Sequence, residues 1–355
     1  MSRQNISVVL AERPTTDIVP GKTFRIETAP APTAADLKDG FLLIEALYLS
    51  LDPAMRGWLN DRPSYIPPVQ IGEVMRGASV ARVLASKSSK AAEGDIVVCL
   101  SGWTEVAIMH EKMVENPFAA MPEALRSRLR PIDLLSAMGA TGLTAYYGIM
   151  KVADGIKPTD TVVVSGAAGA TGSVVGQIAK ILGAKRVVGI AGSADKVKWL
   201  VEELGFDAGI NYKDADFAEQ FKAATPDKID VYWDNVGGEI LDMALGRANL
   251  HARFVMCGGI SHYNATEVKG PKNILQVVVQ RIKMQGFLVF DYAAENATAI
   301  GALAKWAAEG KLKSKEYVVK GGLRVAEQAL ADLFKGVNTG KLLVEIKNPD
   351  EAAKL

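Results

Sequence analysis

Residues 161–183 read TVVVSGAAGATGSVVGQIAKILG. An apolar extended run gives way to a turn of glycine and alanine and then to a helix of apolar period, the order in which a buried parallel strand delivers the chain to a phosphate-binding turn. Val162, Val163 and Val164 suit a strand covered on both faces. Gly166, Gly169 and Gly172 let the backbone turn and approach a ligand more closely than any side chain allows. The first turn of the helix carries N–H groups with no intrahelical acceptor, so a pyrophosphate is the natural guest. The spacing is G-x-x-G-x-x-G rather than the usual G-x-G-x-x-G of dinucleotide sites, and glycines of this kind also serve simply to pack a helix on a sheet.

The next segment extends the pattern. RVVGI at 186–190 reads as a second buried strand and residues 195–204 as a second helix, which completes a βαβα unit. NAD-selective sites close the second strand with an Asp or Glu on the ribose 2′-hydroxyl. Here Ala191, Gly192 and Ser193 close it, with Lys196 one helical turn further on. A hydroxyl and an ammonium suit a 2′-phosphate, which favours NADPH over NADH. Lys196 also reads, more plainly, as a solvated helix lysine.

A chain of 355 residues predicts two domains, each large enough to be stable without metals or disulfides. With 41 basic against 40 acidic side chains, the net charge of +1 gives no field to recruit nucleic acid or anionic lipid. The two cysteines, Cys99 and Cys257, lie far apart in apolar strand-like settings, as in a reducing compartment. The opening MSRQNISVVLAERP has too short an apolar stretch for a secretory leader, and no run reaches membrane-spanning length. The expectation is a soluble, cytoplasmic protein.

Composition also divides the chain. From about Phe24 to Val114 it is strand-like and turn-rich, with FLLIEALYLSL, VMRGASVARVLA and GDIVVCL separated by polar or glycine-containing breaks, as in an antiparallel β domain. From about Leu134 strands and helices alternate, with strands expected at 208–210, 229–233, 252–257 and 286–289, the pattern of an α/β, doubly wound parallel sheet. A helix around 300–308, a strand at 317–319, a helix at 325–334 and a strand at 341–345 follow, and the last three are placed to return to the first domain.

Several blocks resemble the zinc-independent branch of the medium-chain dehydrogenase/reductase superfamily, the group of prostaglandin and leukotriene reductases, plant double-bond reductases and bacterial curcumin reductase. They are LSLDPAMRGWL (49–59), GEVMRG (72–77), GAAGATGSVVGQIAK (166–180), GIAGSADKVKWL (189–200), GFDAGINYK (205–213), DNVGG (234–238) and CGGISHYN (257–264). GFLVFDY (286–292) and GVNTGKLLV (336–344) carry the likeness into the C-terminal segment. The resemblance implies a GroES-like antiparallel β domain for substrate, residues 1–130 and 310–355, and a Rossmann-type NADPH-binding domain, residues 131–309. It implies a cleft where the two meet, a homodimer, and reduction of the carbon–carbon double bond of α,β-unsaturated ketones and aldehydes.

Catalytic zinc in related alcohol dehydrogenases is held by Cys and His, and structural zinc by four close Cys. Cys99 and Cys257 cannot form such a cluster, and His110, His251 and His262 form no recognisable ligand set with them. In the family comparison, Leu49-Ser50-Leu51-Asp52 stands where the zinc enzymes have their first cysteine ligand. No metal is expected.

Without a Lewis acid, hydrogen bonds must stabilise the enolate charge that develops as hydride reaches the β-carbon. Tyr263 in GISHYN is the candidate for positioning the carbonyl or supplying the α-proton, with solvent as the other proton source and a structural tyrosine as the plainer reading. Tyr65 in SYIPPV offers an aromatic wall or a second hydroxyl, or packs in a proline-rich loop. Arg56 in DPAMRG either binds an acidic substrate group or locks structure through carboxylates such as Asp52.

For the cofactor, the resemblance assigns Ala168, Gly169, Thr171 and Gly172 to the pyrophosphate turn, and Ser193, Lys196 and Tyr212 to the 2′-phosphate pocket. It puts Asn235, Cys257, Tyr263, Phe287, Leu288 and Val289 near the ribose and nicotinamide, and brings Asn338 to the cofactor from the tail. Three functions compete: alkene reduction of a small hydrophobic enone or enal, NADPH:quinone oxidoreduction by the same hydride-donating set, and a non-catalytic NADPH-binding role, since a fold does not fix a function.

Overall fold

The computed structural model describes residues 3–349. The chain divides into two compact units, one holding the residues up to Leu135, Glu316–Asn338 and those from Leu342 on, the other Ser136–Lys315 with Thr339–Lys341.

The first unit opens with an antiparallel pair, β1 (Gln4–Leu10) and β2 (Phe24–Pro30). Its larger sheet contains β3 (Phe41–Ser50), β4 (Ser79–Ser86), β5 (Ile96–Cys99), β6 (Val106–His110) and β7 (Val114–Glu115). β3 pairs antiparallel with both β4 and β6. It is apolar throughout because both of its faces are covered: Leu42 and Ile44 pack with Val83 and Val97, Leu43 with Leu37 and Val106, and Leu49 with Trp103 and Leu51 in a third cluster. Buried Glu45 and Ser50 are exceptions, and the Glu45 carboxylate is met by Arg3.

The second unit carries a six-stranded sheet: β8 (Thr161–Val164), β9 (Arg186–Ala191), β10 (Ala208–Asn211), β11 (Ile229–Asp234), β12 (Ala248–Met256) and β13 (Lys283–Gly286). All pairs are parallel, in the order β10-β9-β8-β11-β12-β13. This is the doubly wound arrangement, and the chain reverses its direction of winding between β8 and β11, where ligands bind in such sheets. β8 lies in the middle and every one of its residues is buried. The helix Ala170–Ile181 leaves the glycine turn and buries Gly172, Val174, Val175, Gly176 and Ile178.

The last strand of this sheet departs from the sequence expectation. The apolar run at 286–289 pointed to a strand, but β13 comprises Lys283–Gly286 and the run lies beyond its end. β13 is an edge strand and largely exposed, so its sequence, KMQG, is polar. Phe287 leaves the sheet to meet Trp233 edge to face at 6.0 Å, and the Leu288 N–H donates to Asp291 Oδ2 at 3.1 Å, opening a 3-10 helix at Val289–Glu295.

The tail then returns as β14 (Glu316–Lys320), the helix Ala326–Phe334 and β15 (Lys341–Glu345). β15 pairs antiparallel with β3, completing the seven-stranded sheet of the first unit. Leu323, Leu330 and Leu333 join the cluster of Phe24, Leu49 and Trp103. Each fully buried leucine contributes roughly 1.5–3 kcal/mol, so the tail is part of the N-terminal core. Among the described residues no helix is long and apolar enough to cross a membrane.

Candidate active site

The turn between β8 and its helix is a cradle that side chains would fill. Gly166 has φ +57°, and a Cβ on Gly172 would stand 2.5 Å from the Gly166 oxygen and 2.8 Å from Ala167 Cα. Only glycine lets the helix start this close to the turn. Gly169 is the N-cap, Ala168 is buried beside it, and Thr171, partly exposed, is the second residue of the helix. The amides of that first turn have no intrahelical acceptor, and the helix dipole favours an anion in front of them. The residues therefore fit a pyrophosphate.

At the neighbouring end of β11 a buried carboxylate organises the crevice. Asp234 is 0 % exposed, and its Oδ1 accepts hydrogen bonds from Ser165 Oγ at 3.0 Å, Tyr232 OH at 3.1 Å, Val236 N at 3.1 Å and Gly237 N at 2.9 Å. Ser165 Oγ in turn accepts the Asn235 N–H at 2.9 Å. Burial, followed by the charge of Asp234, pushes the Tyr232 phenol well above its ordinary pKa. Asn235 Nδ2 donates to the Ser165 oxygen at 2.7 Å, and Trp233 Nε1 donates to Asn235 Oδ1 at 3.0 Å. The Asn235 amide thus staples β8 to β11 and keeps one hydrogen and one lone pair for a ligand. Sequence reasoning singled out Asn235 but missed Ser165 and Asp234; their signal was two polar residues at the ends of otherwise apolar strands.

Ser193 caps the helix Ala194–Glu202 by accepting the Lys196 N–H at 3.4 Å, so its hydroxyl and Lys196 belong to one turn. The Tyr212 ring closes over Gly192, immediately before that cap. Lys213, which sequence reasoning passed over, sets its ammonium 5.8 Å from the Tyr212 ring centre. Burial, and secondarily the like charge of Lys213, lower the Lys196 pKa. Two cations that disfavour each other beside a hydroxyl and a phenol form a donor set suited to a phosphate dianion.

Cys257, Tyr263 and Phe287 lie near the end of β11. The Cys257 and Gly258 N–H groups both donate to the Asp234 oxygen, at 2.9 and 3.0 Å. Burial and then the charge of Asp234 push the Cys257 thiol up to about 12. Half-buried Tyr263 ends the short helix Ile260–Tyr263, and its hydroxyl accepts the Gly259 N–H at 3.3 Å. Phe287 packs on Trp233, whose indole holds Asn235; Leu288 and Val289 follow it, partly buried.

In the first unit, Tyr65 is 45 % exposed and its hydroxyl accepts Trp58 Nε1 at 2.7 Å. Asn338 is buried. Arg56 is 2 % exposed and acts as a tie: Nε donates to the Thr16 oxygen at 2.9 Å, Nη2 to the Pro14 oxygen at 3.0 Å and Nη1 to Asn60 Oδ1 at 2.7 Å. Among the described residues no group of three or more His, Cys, Asp or Glu side chains is placed to hold a metal ion.

A glycine turn that fits a dinucleotide at the switch point of a doubly wound sheet, with Ser193, Lys196 and Tyr212 just beyond neighbouring strands, suits an NADP-dependent oxidoreductase. Comparison with known proteins agrees. The profile described as "N-terminal domain of oxidoreductase" matches residues 7–116, and that described as "zinc-binding dehydrogenase" matches residues 170–305. The chain is 40 % identical to prostaglandin reductase 1 of Bos taurus over 326 residues, covering 91 % of this chain and 93 % of that protein. It is 37 % identical to the NADPH-dependent curcumin reductase of Escherichia coli over 358 residues, covering 98 % and 99 %. The crystal structure of CurA in complex with NADPH from Vibrio vulnificus superposes with a TM-score of 0.88 at 38 % identity, covering 97 % of this chain and 100 % of that one. The chain belongs to the zinc-independent branch of the medium-chain dehydrogenase/reductase superfamily, with NADPH as its cofactor.

Proposed function

We propose that this protein reduces the carbon–carbon double bond of small hydrophobic α,β-unsaturated ketones or aldehydes. The observation that carries the reading is the placement of Tyr263, whose phenol is held by Gly259 at the end of β11 where Asn235 and the glycine turn also lie. The likeness to a prostaglandin reductase and a curcumin reductase over nine-tenths or more of the chain supports the same chemistry. A cytoplasmic homodimer belongs to the same proposal.

Ala168, Gly169, Thr171 and Gly172 hold the pyrophosphate in this reading, and Ser193, Lys196, Tyr212 and Lys213 the 2′-phosphate. Asn235, Cys257, Phe287, Leu288 and Val289 line the ribose and nicotinamide. Bound NADPH supplies hydride to the β-carbon of the acceptor. Tyr263 donates a hydrogen bond to the carbonyl oxygen, where enolate charge develops, and is the proposed source of the α-proton. A neutral phenol does this without placing a charge in an apolar pocket.

The test is NADPH oxidation by the purified protein with short and aryl-substituted enones, with the product identified by mass and proton NMR. A saturated ketone with its carbonyl intact supports the proposal. An allylic alcohol rejects it, turnover of quinones alone reassigns the acceptor, and tight NADPH binding without any turnover supports a binding role.

A further inference from the structure

The tail contributes to the glycine turn in a way that no motif announces. The Gly340 N–H donates to the Ala168 oxygen at 2.8 Å, and Gly169 and Gly340 form an isolated parallel bridge. On the other side of the same peptide, the Gly169 N–H donates to the Gly166 oxygen at 3.1 Å. The Ala168–Gly169 peptide plane is therefore held at both ends, and it leads directly into the N-cap of the cofactor helix. Because a peptide plane is rigid, holding its C=O and N–H fixes its orientation, from which the first turn of the helix starts.

Gly340 is itself wedged in place. Its φ is +75°, and a Cβ there would overlap the Lys315 oxygen and lie 2.8 Å from the Lys315 carbonyl carbon. The Lys341 N–H donates to that same Lys315 oxygen at 2.8 Å. Two residues upstream, the buried Gln177 side chain clips the backbone of Lys313 in both directions, Nε2 to the Lys313 oxygen at 2.9 Å and the Lys313 N–H to Oε1 at 2.8 Å. Gln177 lies on the helix that begins at the glycine turn. The hydrogen bonds thus close a circuit from the turn to the tail, from the tail to Lys315, and from Lys313 back to the cofactor helix.

We propose that Gly340 and Gln177 are positioning residues of the pyrophosphate site, strapping the Thr339–Lys341 segment onto the turn so that Ala168–Gly169 keeps the shape that receives the phosphates. The strap acts on the pyrophosphate and not on the adenosine end, where Ser193, Lys196, Tyr212 and Lys213 stand on a different strand and loop. That difference separates positioning from general support of the fold.

The experiment is calorimetric titration of wild type, Gly340→Ala and Gln177→Met with NADPH and, separately, with adenosine 2′-monophosphate, which carries the 2′-phosphate but no pyrophosphate. The proposal expects NADPH to bind at least tenfold more weakly to Gly340→Ala and several-fold more weakly to Gln177→Met, with adenosine 2′-monophosphate unchanged within twofold. Equal weakening of both ligands, or of neither, overturns it. Amide exchange on the wild-type protein tests it without any variant. NADPH must slow exchange at Gly340 while adenosine 2′-monophosphate does not, and an unchanged Gly340 rate with NADPH rejects the strap.

Discussion

The Tyr212 ring rests against the backbone of Gly192, so closely that a Cβ on Gly192 would stand 2.9 Å from Tyr212 Cε1 and 3.1 Å from its hydroxyl. The glycine that follows β9 thus leaves room for an aromatic wall beside the Ser193 cap and Lys196. A carboxylate there, as in NAD-selective relatives of the fold, would displace the ring and repel a phosphate. Gly192→Asp is expected to raise the KM for NADPH and lower that for NADH. Steady-state kinetics with both cofactors checks this, and an unchanged ratio would remove the pocket from the account.

Lys196→Ala is expected to raise the KM for NADPH about 10- to 100-fold, since a hydrogen bond to a charged group contributes about 1.5–3 kcal/mol and 1.4 kcal/mol is a factor of ten. The KM for NADH should stay within twofold. A pH effect follows from the lowered Lys196 pKa, whose causes are burial and then Lys213. In the proposed pocket it is the protonated ammonium that holds the phosphate, so the preference for NADPH should decline as pH rises through that lowered value, before an ordinary lysine at 10.5 would titrate. The stability of the cofactor-free protein moves the other way. The folded chain releases this proton before the unfolded chain does, so between the lowered pKa and 10.5 rising pH adds stability.

Arg56→Ala should lower stability without touching the cofactor. The guanidinium is 2 % exposed and joins the Pro14 and Thr16 carbonyls to Asn60, and removing it leaves three acceptors without their donor. A buried acceptor left unsatisfied costs about 1–3 kcal/mol, so urea denaturation should show a loss of at least about 2 kcal/mol. Arg56→Lys should not restore it, because one ammonium lacks the planar fork that reaches all three. An unchanged Kd for NADPH would separate this role from binding.

Cys257 is expected to resist alkylation. Burial and the neighbouring Asp234 hold its thiol up to about 12, so at pH 8 the reactive thiolate is scarce. This matters in a protein proposed to handle enones, which are themselves thiol-reactive. Mass spectrometry after iodoacetamide at pH 8 should find Cys257 unmodified in the folded protein and modified in urea. Because the folded thiol keeps its proton longer than the unfolded one, stability should fall as pH rises from the ordinary value of 9.0 towards 12.

The parallel sheet was legible where burial is complete. β8 and β9 are covered on both faces, so their sequences are continuous apolar runs, and the glycine turn between β8 and its helix has few other uses. The edge strand was not legible, because exposure makes β13 polar while the apolar FLVF beyond it serves aromatic packing against Trp233 and the start of a 3-10 helix. Lys213 carried no signal beyond its neighbour Tyr212. The bond from Gly340 to Ala168 joins residues far apart in the chain through backbone atoms, and backbone atoms write nothing into side-chain pattern.

Tyr263→Phe tests the chemistry most directly. The Gly259 N–H donates to the phenol oxygen over a long 3.3 Å, so losing that acceptor should cost about 1 kcal/mol of stability or less. A general acid contributes about 10²–10⁴-fold, so kcat with an enone should fall at least about 100-fold, while the Kd for NADPH stays within twofold. Reduction in deuterium oxide distinguishes the two proton sources. If Tyr263 delivers the proton, wild type places deuterium on one face of the α-carbon, because the phenol has exchanged with solvent and reaches the substrate from one side. The residual product of Tyr263→Phe should then carry deuterium on both faces, as read by proton NMR. Retention of single-face labelling in Tyr263→Phe, with kcat little changed, would transfer the proton to an ordered water and leave Tyr263 a residue of the loop alone.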